Sequence, residues 1–207
     1  MNTLLPEPGS IAPRPLILAS TSTYRAALLA RLRLKFVVVA PGTEESTWPH
    51  ETGEATAIRL AAAKARAGAV QSGLDDGLVI GSDQVAELDG VALGKPGTLA
   101  NAMEQLRAMR GRCVVFHTAI ALFDIRSGRL QQAVVPTMVT MRNYSDSAIQ
   151  FYLDHEDALD CAGSAKSEGL GAALIKTMSS DDPTALIGLP LLSLVTMLQH
   201  EGIEVLS

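Results

Sequence analysis

Several short stretches of this chain put reactive side chains where backbone geometry could hold them. The first is Ser20-Thr-Ser-Thr-Tyr-Arg25, directly behind the apolar run Leu16-Ile-Leu-Ala19. A strand that opens into a helix leaves backbone N–H groups unpaired, and together with the helix dipole they attract an anion. Hydroxyls at Ser20 and Ser22 add donors, and Arg25 falls in the first helical turn, close to where a phosphate would lie. The plain alternative is a Ser/Thr cap with a solvated arginine. The second stretch, Gly81-Ser-Asp83-Gln84, sets a carboxylate just after the apolar run Leu78-Val79-Ile80, where strand ends of α/β folds face a ligand cleft. Asp83 there could hold a divalent ion or accept a proton from water, or it could simply cap its own turn.

Leu93-Gly-Lys95-Pro-Gly97 holds a lysine on a tight turn, where a point charge suits a phosphate oxygen; the alternative is an exposed loop lysine. No GxxxxGK[ST] occurs in the chain, so this is not a P-loop. Lys64 stands in the Ala-rich stretch Leu60-Ala-Ala-Ala-Lys-Ala, where the default is a lysine snorkelling to the surface. The run from Cys161 to Gly171 mixes small residues with the carboxylate of Glu168; it would let a flat ligand approach the backbone, or be a flexible loop. His50, His117, His155 and His200 lack metal-ligand spacing, and neither GxSxG nor HExxH is present. Serine hydrolase and zinc peptidase chemistry have no support.

The elements that must position these residues are legible in outline. Residues 16–19 predict a buried strand, followed by a helix of about three turns carrying Leu28, Leu29 and Leu32. A second strand is expected at 35–40, a polar loop at 43–52, and a long helix at 54–72 with Ile58, Ala61, Ala65 and Ala69 on one face. Residues 78–80 predict a buried strand and 85–93 a hairpin turning at Asp89-Gly90. Thr98 caps a helix to about Met109, and Gly111 stops it. Residues 114–125 and 130–141 form a long hairpin, and Ser145 caps a helix through Leu153. Gly-rich loops follow, then a helix at about 190–200 and a short terminal strand. Strands that alternate with helices but are interrupted by hairpins indicate an α/β protein with a mixed central sheet flanked by helices.

Composition narrows the class. At 207 residues and 47% hydrophobic, the chain can bury one sizeable core; with only 4% aromatics, Ala, Leu, Val and Ile must build it. A net charge of −5 with no basic arm argues against binding a nucleic acid polymer, though a few converging cations could still hold a phosphate. Cys113 and Cys161 read as ordinary small buried residues, with no disulfide or zinc spacing. Pro6, Pro8, Pro13 and Pro15 argue against a signal peptide and for a flexible leader over residues 1–14. No apolar run of the roughly 18 residues that a membrane span needs occurs, and the expectation is a cytoplasmic protein with one domain at 15–207.

These stretches also occur in a familiar order. The chain resembles the Maf-like nucleoside triphosphate pyrophosphatases, in particular those acting on 7-methyl-GTP. The resemblance rests on Leu16 to Arg25, Arg59-Leu-Ala-Ala-Ala-Lys-Ala65, Ile80-Gly-Ser-Asp-Gln-Val85, Gly94-Lys-Pro96, Cys161 to Gly169 and Ile187-Gly-Leu-Pro190. It implies two lobes around a nucleotide cleft, as in Maf and inosine-triphosphatase-like folds, dependence on Mg²⁺ or Mn²⁺, a cytoplasmic location and often a homodimer. It implies a proton acceptor at Asp83 and phosphate handling at Ser20, Arg25, Lys64 and Lys95. Base selection falls to Tyr24, Gln84 and Glu168, and Glu45 joins Asp83 at the metal. A pyrophosphatase for dTTP, UTP or another noncanonical nucleotide is the nearer alternative, and a nucleotide-binding regulator of division without turnover the more distant one. Most relatives have Pro where Thr23 stands, and many of the methyl-GTP group have Arg where this chain has Ala26.

Overall fold

The computed structural model describes residues 14–206. The apolar run after Pro15 forms β1 (Leu16–Ala19), buried throughout. α1 (Thr23–Ala30) follows, capped by Ser22, whose hydroxyl accepts from the Arg25 amide. Next come β2 (Val37–Val39), α2 (Gly53–Ser72) and β3 (Leu78–Leu88). The middle of the chain holds β4 (Val91–Leu93), α3 (Leu99–Met109), β5 (Cys113–Asp124) and β6 (Leu130–Met141). After α4 (Asp146–His155), short 3-10 turns at Ala162–Ser164 and Leu170–Leu174 lead into β7 (Ile175–Ser180) and α5 (Leu191–His200).

Among the described residues the strands form one mixed seven-stranded sheet, in the order β2-β1-β3-β5-β6-β7, with β4 paired on β3. β1 is parallel to β2 and β3, whereas β3, β5, β6 and β7 pair antiparallel. This is the mixed α/β architecture expected from interrupted alternation. Asp89 and Gly90 both take positive φ in the β3–β4 turn, as a two-residue hairpin requires. Thr52, Thr98 and Ser145 each accept a backbone N–H at the start of their helices.

Helix α2 lies unusually near the sheet. A β-carbon on Gly81 would sit 2.2 Å from the Ala61 carbonyl oxygen and 2.5 Å from the Ala65 nitrogen. One on Gly68 would sit 2.4 Å from the Ala19 β-carbon. Under α2 the seam is therefore built from Ala57, Ala61, Ala65 and Ala119. Larger side chains fill the space to either side. Leu106, Phe116 and Tyr152 centre a cluster beneath α3 and α4, while Leu18, Leu28, Ile80 and Leu194 centre another beneath α1 and α5.

Several expectations need correction. The strand at 78–80 does not end before Asp83: β3 runs on to Leu88 because β5 pairs with it continuously from Leu78 to Glu87. Asp83 thus lies within a strand, not at its end. α1 stops at Ala30, so Leu32 packs from the following turn. β7 was not anticipated, and no strand follows α5 among the described residues. There Gly202 takes a positive φ, the Ile203 amide donates to Leu198 O, and Ile203 and Val205 pack onto the core instead. Neither cysteine is fully buried, since Cys113 opens β5 at an exposed position and Cys161 is half-buried. The expected leader lies outside the described residues up to 13; Arg14 itself is ion-paired with Asp76 and Asp124.

The Gly81 contact yields a direct test. Gly81→Ala must push α2 off β3, and overpacking of this kind costs about 1–3 kcal/mol. A thermal melt should show the midpoint lowered by several degrees, roughly 2–4 °C per kcal/mol at this chain length.

Candidate active site

The close seam beneath α2 carries a charge inward. Gly81 and Asp83 share the face of β3 turned toward α2, since alternate residues of a strand point the same way. Lys64 reaches down from α2 and places Nζ 2.7 Å from Asp83 Oδ1. Both residues are buried, Lys64 to 4% exposure and Asp83 to 6%. The snorkelling default for Lys64 therefore fails: the Ala-rich face that surrounds it is the packed face. The same ammonium lies 2.5 Å from Glu45 Oε1, and the other oxygen of Glu45 lies 3.5 Å from Lys95 Nζ. One carboxylate thus bridges an ammonium on α2 and another on the turn after β4.

Burial pushes the Asp83 carboxyl above its usual range, with Lys64 and Arg25 pulling back against it and Glu45 adding to it. A base with a raised pKa is better matched to neutral pH than an ordinary aspartate at about 3.9. For Glu45, partial burial pushes upward, but Lys64 and then Lys95 outweigh it and hold the carboxyl below its usual range.

Arg25 approaches from α1. Its Nε donates to the Gly188 carbonyl at 2.8 Å. Burial lowers its pKa, countered by Asp83 and Glu45, so the guanidinium shares the field of that pair. Ser82, on the opposite face of β3, contacts the same Gly188 oxygen at 2.9 Å and Ala119 O at 2.8 Å. Ser20 is buried and its hydroxyl accepts from the Ser22 amide at 3.1 Å. The structure therefore brings together Arg25, Glu45, Lys64, Asp83 and Lys95. It places Gln84 apart from them, on the Ser82 face, where its amide nitrogen donates to Thr118 Oγ1, Ala185 O and Leu186 O.

Tyr24 lies beside Lys166, a residue to which the sequence alone assigns no role. Lys166 Nζ lies 5.4 Å from the Tyr24 ring centroid and 2.8 Å from Glu156 Oε1. Glu156, followed by Tyr24, raises the Lys166 pKa. Glu156 also accepts from the Leu170 amide at 2.8 Å. Glu168 sits between these anchors and is exposed. Arg59 was passed over in the same way; it binds Glu51 and the Ser46 carbonyl at the loop that bears Glu45. A cation one turn or so from Lys64 on an otherwise small-residue helix is the signal that could have drawn attention to it.

Among the described residues no group of three or more His, Cys, Asp or Glu side chains is arranged to hold a metal. The nearest oxygen donors are Asp83 and Glu45, which meet on one ammonium. Two hard carboxylates suit Mg²⁺ or Mn²⁺ where phosphate oxygens complete the shell, and would not make a closed cage. No helix among the described residues is long and apolar enough to cross a membrane.

A model of the Maf-like protein family matches residues 15–201. A 7-methyl-GTP pyrophosphatase from Thiobacillus denitrificans is 54% identical over 192 residues, covering 93% of this chain and 94% of that one. A protein of the same name from Burkholderia pseudomallei is 56% identical over 192 residues, covering 92% and 89%. One from Paraburkholderia xenovorans is 56% identical over 197 residues, covering 94% and 95%.

The paired charges give a pH-dependent prediction. Lys64→Met leaves Asp83 buried without its main partner, and removing one partner of a buried pair typically costs about 3–5 kcal/mol. Asp83 already has a raised folded pKa, so its fold-favoured state is the protonated one, and that contribution is lost as pH rises through the folded value. Glu45, whose pKa Lys64 holds down, loses support that exists only above the unfolded value. Both effects have one sign. Thermal melts should show the Lys64→Met deficit large at pH 8 and shrinking as pH falls through the range in which the two carboxyls take up protons.

Proposed function

The chain belongs to the Maf-like protein family, and on that premise we propose that it hydrolyses 7-methyl-GTP to 7-methyl-GMP and diphosphate. The bond cut is the one between the α- and β-phosphates. Relatives that carry the name 7-methyl-GTP pyrophosphatase match it over nearly their whole length. The observation that carries the mechanism is Asp83, a carboxylate buried within a strand, shifted up by burial and gripped by a lysine.

In this reading water attacks the α-phosphorus and Asp83 takes its proton. Diphosphate leaves with its charge balanced by Arg25, Lys64 and Lys95, preorganised donors that need no reorientation as charge develops. Ser20 supplies a hydroxyl at the start of α1, where unpaired amides also face the phosphates. Asp83 and Glu45 would hold a Mg²⁺ or Mn²⁺ ion. When bound, it supplies further charge neutralisation to the triphosphate and lowers the pKa of a bound water.

The nucleotide cleft lies between two lobes, one around α1 and α5 and the other around α3 and α4. Tyr24 on the first and Glu168 on the second select the base, with Gln84 in support. Methylation at N7 leaves guanine positively charged, and stacking such a ring on tyrosine is worth roughly 0.5–2 kcal/mol depending on desolvation. The Glu168 carboxylate accepts from the guanine N1–H and amino group, and its charge suits a cationic base. The enzyme works in the cytoplasm, as a homodimer.

Ion-exchange product analysis tests this reading. Purified protein is given 7-methyl-GTP, GTP, dTTP, UTP and CTP with Mg²⁺ or Mn²⁺. 7-Methyl-GMP and diphosphate should appear from the first far faster than from the others. Asp83→Asn should lose at least about 10²-fold in turnover while remaining folded, in line with loss of a general base. Glu168→Gln should narrow the preference for 7-methyl-GTP over GTP with less effect on turnover. A preference for dTTP or UTP would discard the roles given to Tyr24 and Glu168, and binding without turnover would discard the enzyme.

A further inference from the structure

Glu45 lies in residues 40–52, which form neither helix nor strand. A segment without regular hydrogen bonding holds a side chain in place only if something outside it pins the backbone. Here the pin comes from α2. Arg59 donates from Nε to Glu51 Oε1 at 2.7 Å and from Nη2 to Glu51 Oε2 at 2.6 Å, a two-pronged grip. The same Nη2 donates to the Ser46 carbonyl at 3.0 Å, and Ser46 is the residue next to Glu45. The Arg59 guanidinium also covers the Trp48 ring at 4.1 Å from its centroid.

Glu51 completes the assembly. It accepts from the Thr56 hydroxyl at 2.9 Å and from the Trp48 amide at 3.2 Å. Arg59 above all pulls its carboxyl down to about 2, so the pair stays ionised at any pH used for an assay. The loop is held against a cost. The Thr43 hydroxyl, two residues before Glu45, is buried without a partner, and a loosely held segment would turn it to water.

We propose that Arg59, clamped to Glu51 and stacked on Trp48, is a positioning residue that sets where the Glu45 carboxylate meets Lys64 and Lys95. It thereby fixes the receiving end for the diphosphate portion of the substrate. The proposal rests on the reading in which that cluster handles phosphate. Arg59 makes no contact with reacting atoms; it acts through the loop. A structural arginine would move stability alone, whereas a positioning arginine moves phosphate affinity and turnover.

The chain supplies its own reporter. Trp48 is its only tryptophan, 60% exposed, and it stands three residues from Glu45. Magnesium diphosphate is titrated onto the parent, Arg59→Met, Arg59→Lys and Glu51→Gln, with calorimetry for affinity and tryptophan emission for the loop. Emission of the parent should change saturably. Arg59→Met should bind magnesium diphosphate about tenfold or more weakly and lower kcat by about 10- to 100-fold, as for a displaced catalytic constellation. Arg59→Lys should recover part of both, because an ammonium can pair with Glu51 but cannot fork to Ser46. Glu51→Gln, which keeps the arginine, should shift both in the same direction and serves if Arg59→Met does not fold.

Arg59→Met or Glu51→Gln binding within about twofold of the parent, or parent emission that ignores magnesium diphosphate, would overturn the proposal. Parent that binds magnesium diphosphate with the emission change, yet leaves 7-methyl-GTP intact, would sink the substrate reading and leave the clamp standing.

Discussion

Lys64 and Asp83 form a charge pair that the fold has to enclose, and enclosing it dictates how near α2 lies to β3. Taking two ions out of water costs several kcal/mol each, and only close geometry returns it. At 2.7 Å the pair has that geometry. It is reached because Gly81 and Gly68 carry no side chain at the points where helix and sheet would otherwise collide. The alanines on α2 follow from the same constraint. They bury little apolar surface per residue, so at roughly 25 cal/mol per Å² the hydrophobic stabilisation must come from the leucine-, phenylalanine- and tyrosine-bearing clusters on either side. The seam positions the charges, and its flanks hold the molecule together.

Strand alternation then divides the labour along β3. Gly81 and Asp83 face α2 and Lys64, whereas Ser82 and Gln84 face the 185–188 segment that leads into α5. That segment returns the constraint to the site, because its Gly188 carbonyl accepts from Arg25. Cations therefore converge from α1, from α2 and from the turn after β4 within a chain whose net charge is −5. Local field, not overall charge, decides whether a phosphate can be held. Bridging by Glu45 keeps two of these cations from repelling each other across the cluster.

What the sequence made legible was local. The caps at Thr98 and Ser145, the Asp89-Gly90 turn and the long hairpin at 114–141 are set by neighbouring residues, and each is found. Gly81-Ser82 reads locally as a turn and becomes strand only because β5, more than thirty residues on, supplies partners to both sides of it. β7 is a polar edge, Ile-Lys-Thr-Met-Ser-Ser, whose strand identity comes wholly from β6. Lys64 misled for a similar reason. Alanine neighbours are as compatible with a surface helix as with one pressed against a sheet, and the glycines that decide between them lie on other elements. Order and resemblance nominate candidate site residues but not their pairings, and Arg59 is not among them because its contacts form only when the 43–52 loop is folded over α2.

The two departures that the resemblance implies, at Thr23 and Ala26, have physical terms. Pro at the first helical position preorganises the chain, yet α1 starts well with Thr23 there, since Ser22 caps the helix and Ser20 accepts from the Ser22 amide. Ala26 is another matter. It is half-buried and packs against the cluster beneath α1, so a longer cationic side chain would have to leave that packing to reach solvent or phosphate. With Ala26, Arg25 is the cation α1 contributes, and in the proposed mechanism the charge of a departing diphosphate falls mainly on Lys64 and Lys95. Those are the two ammonium groups that Glu45 touches. If that mechanism holds, the placement of Glu45 governs how much of this positive charge is free to meet the substrate.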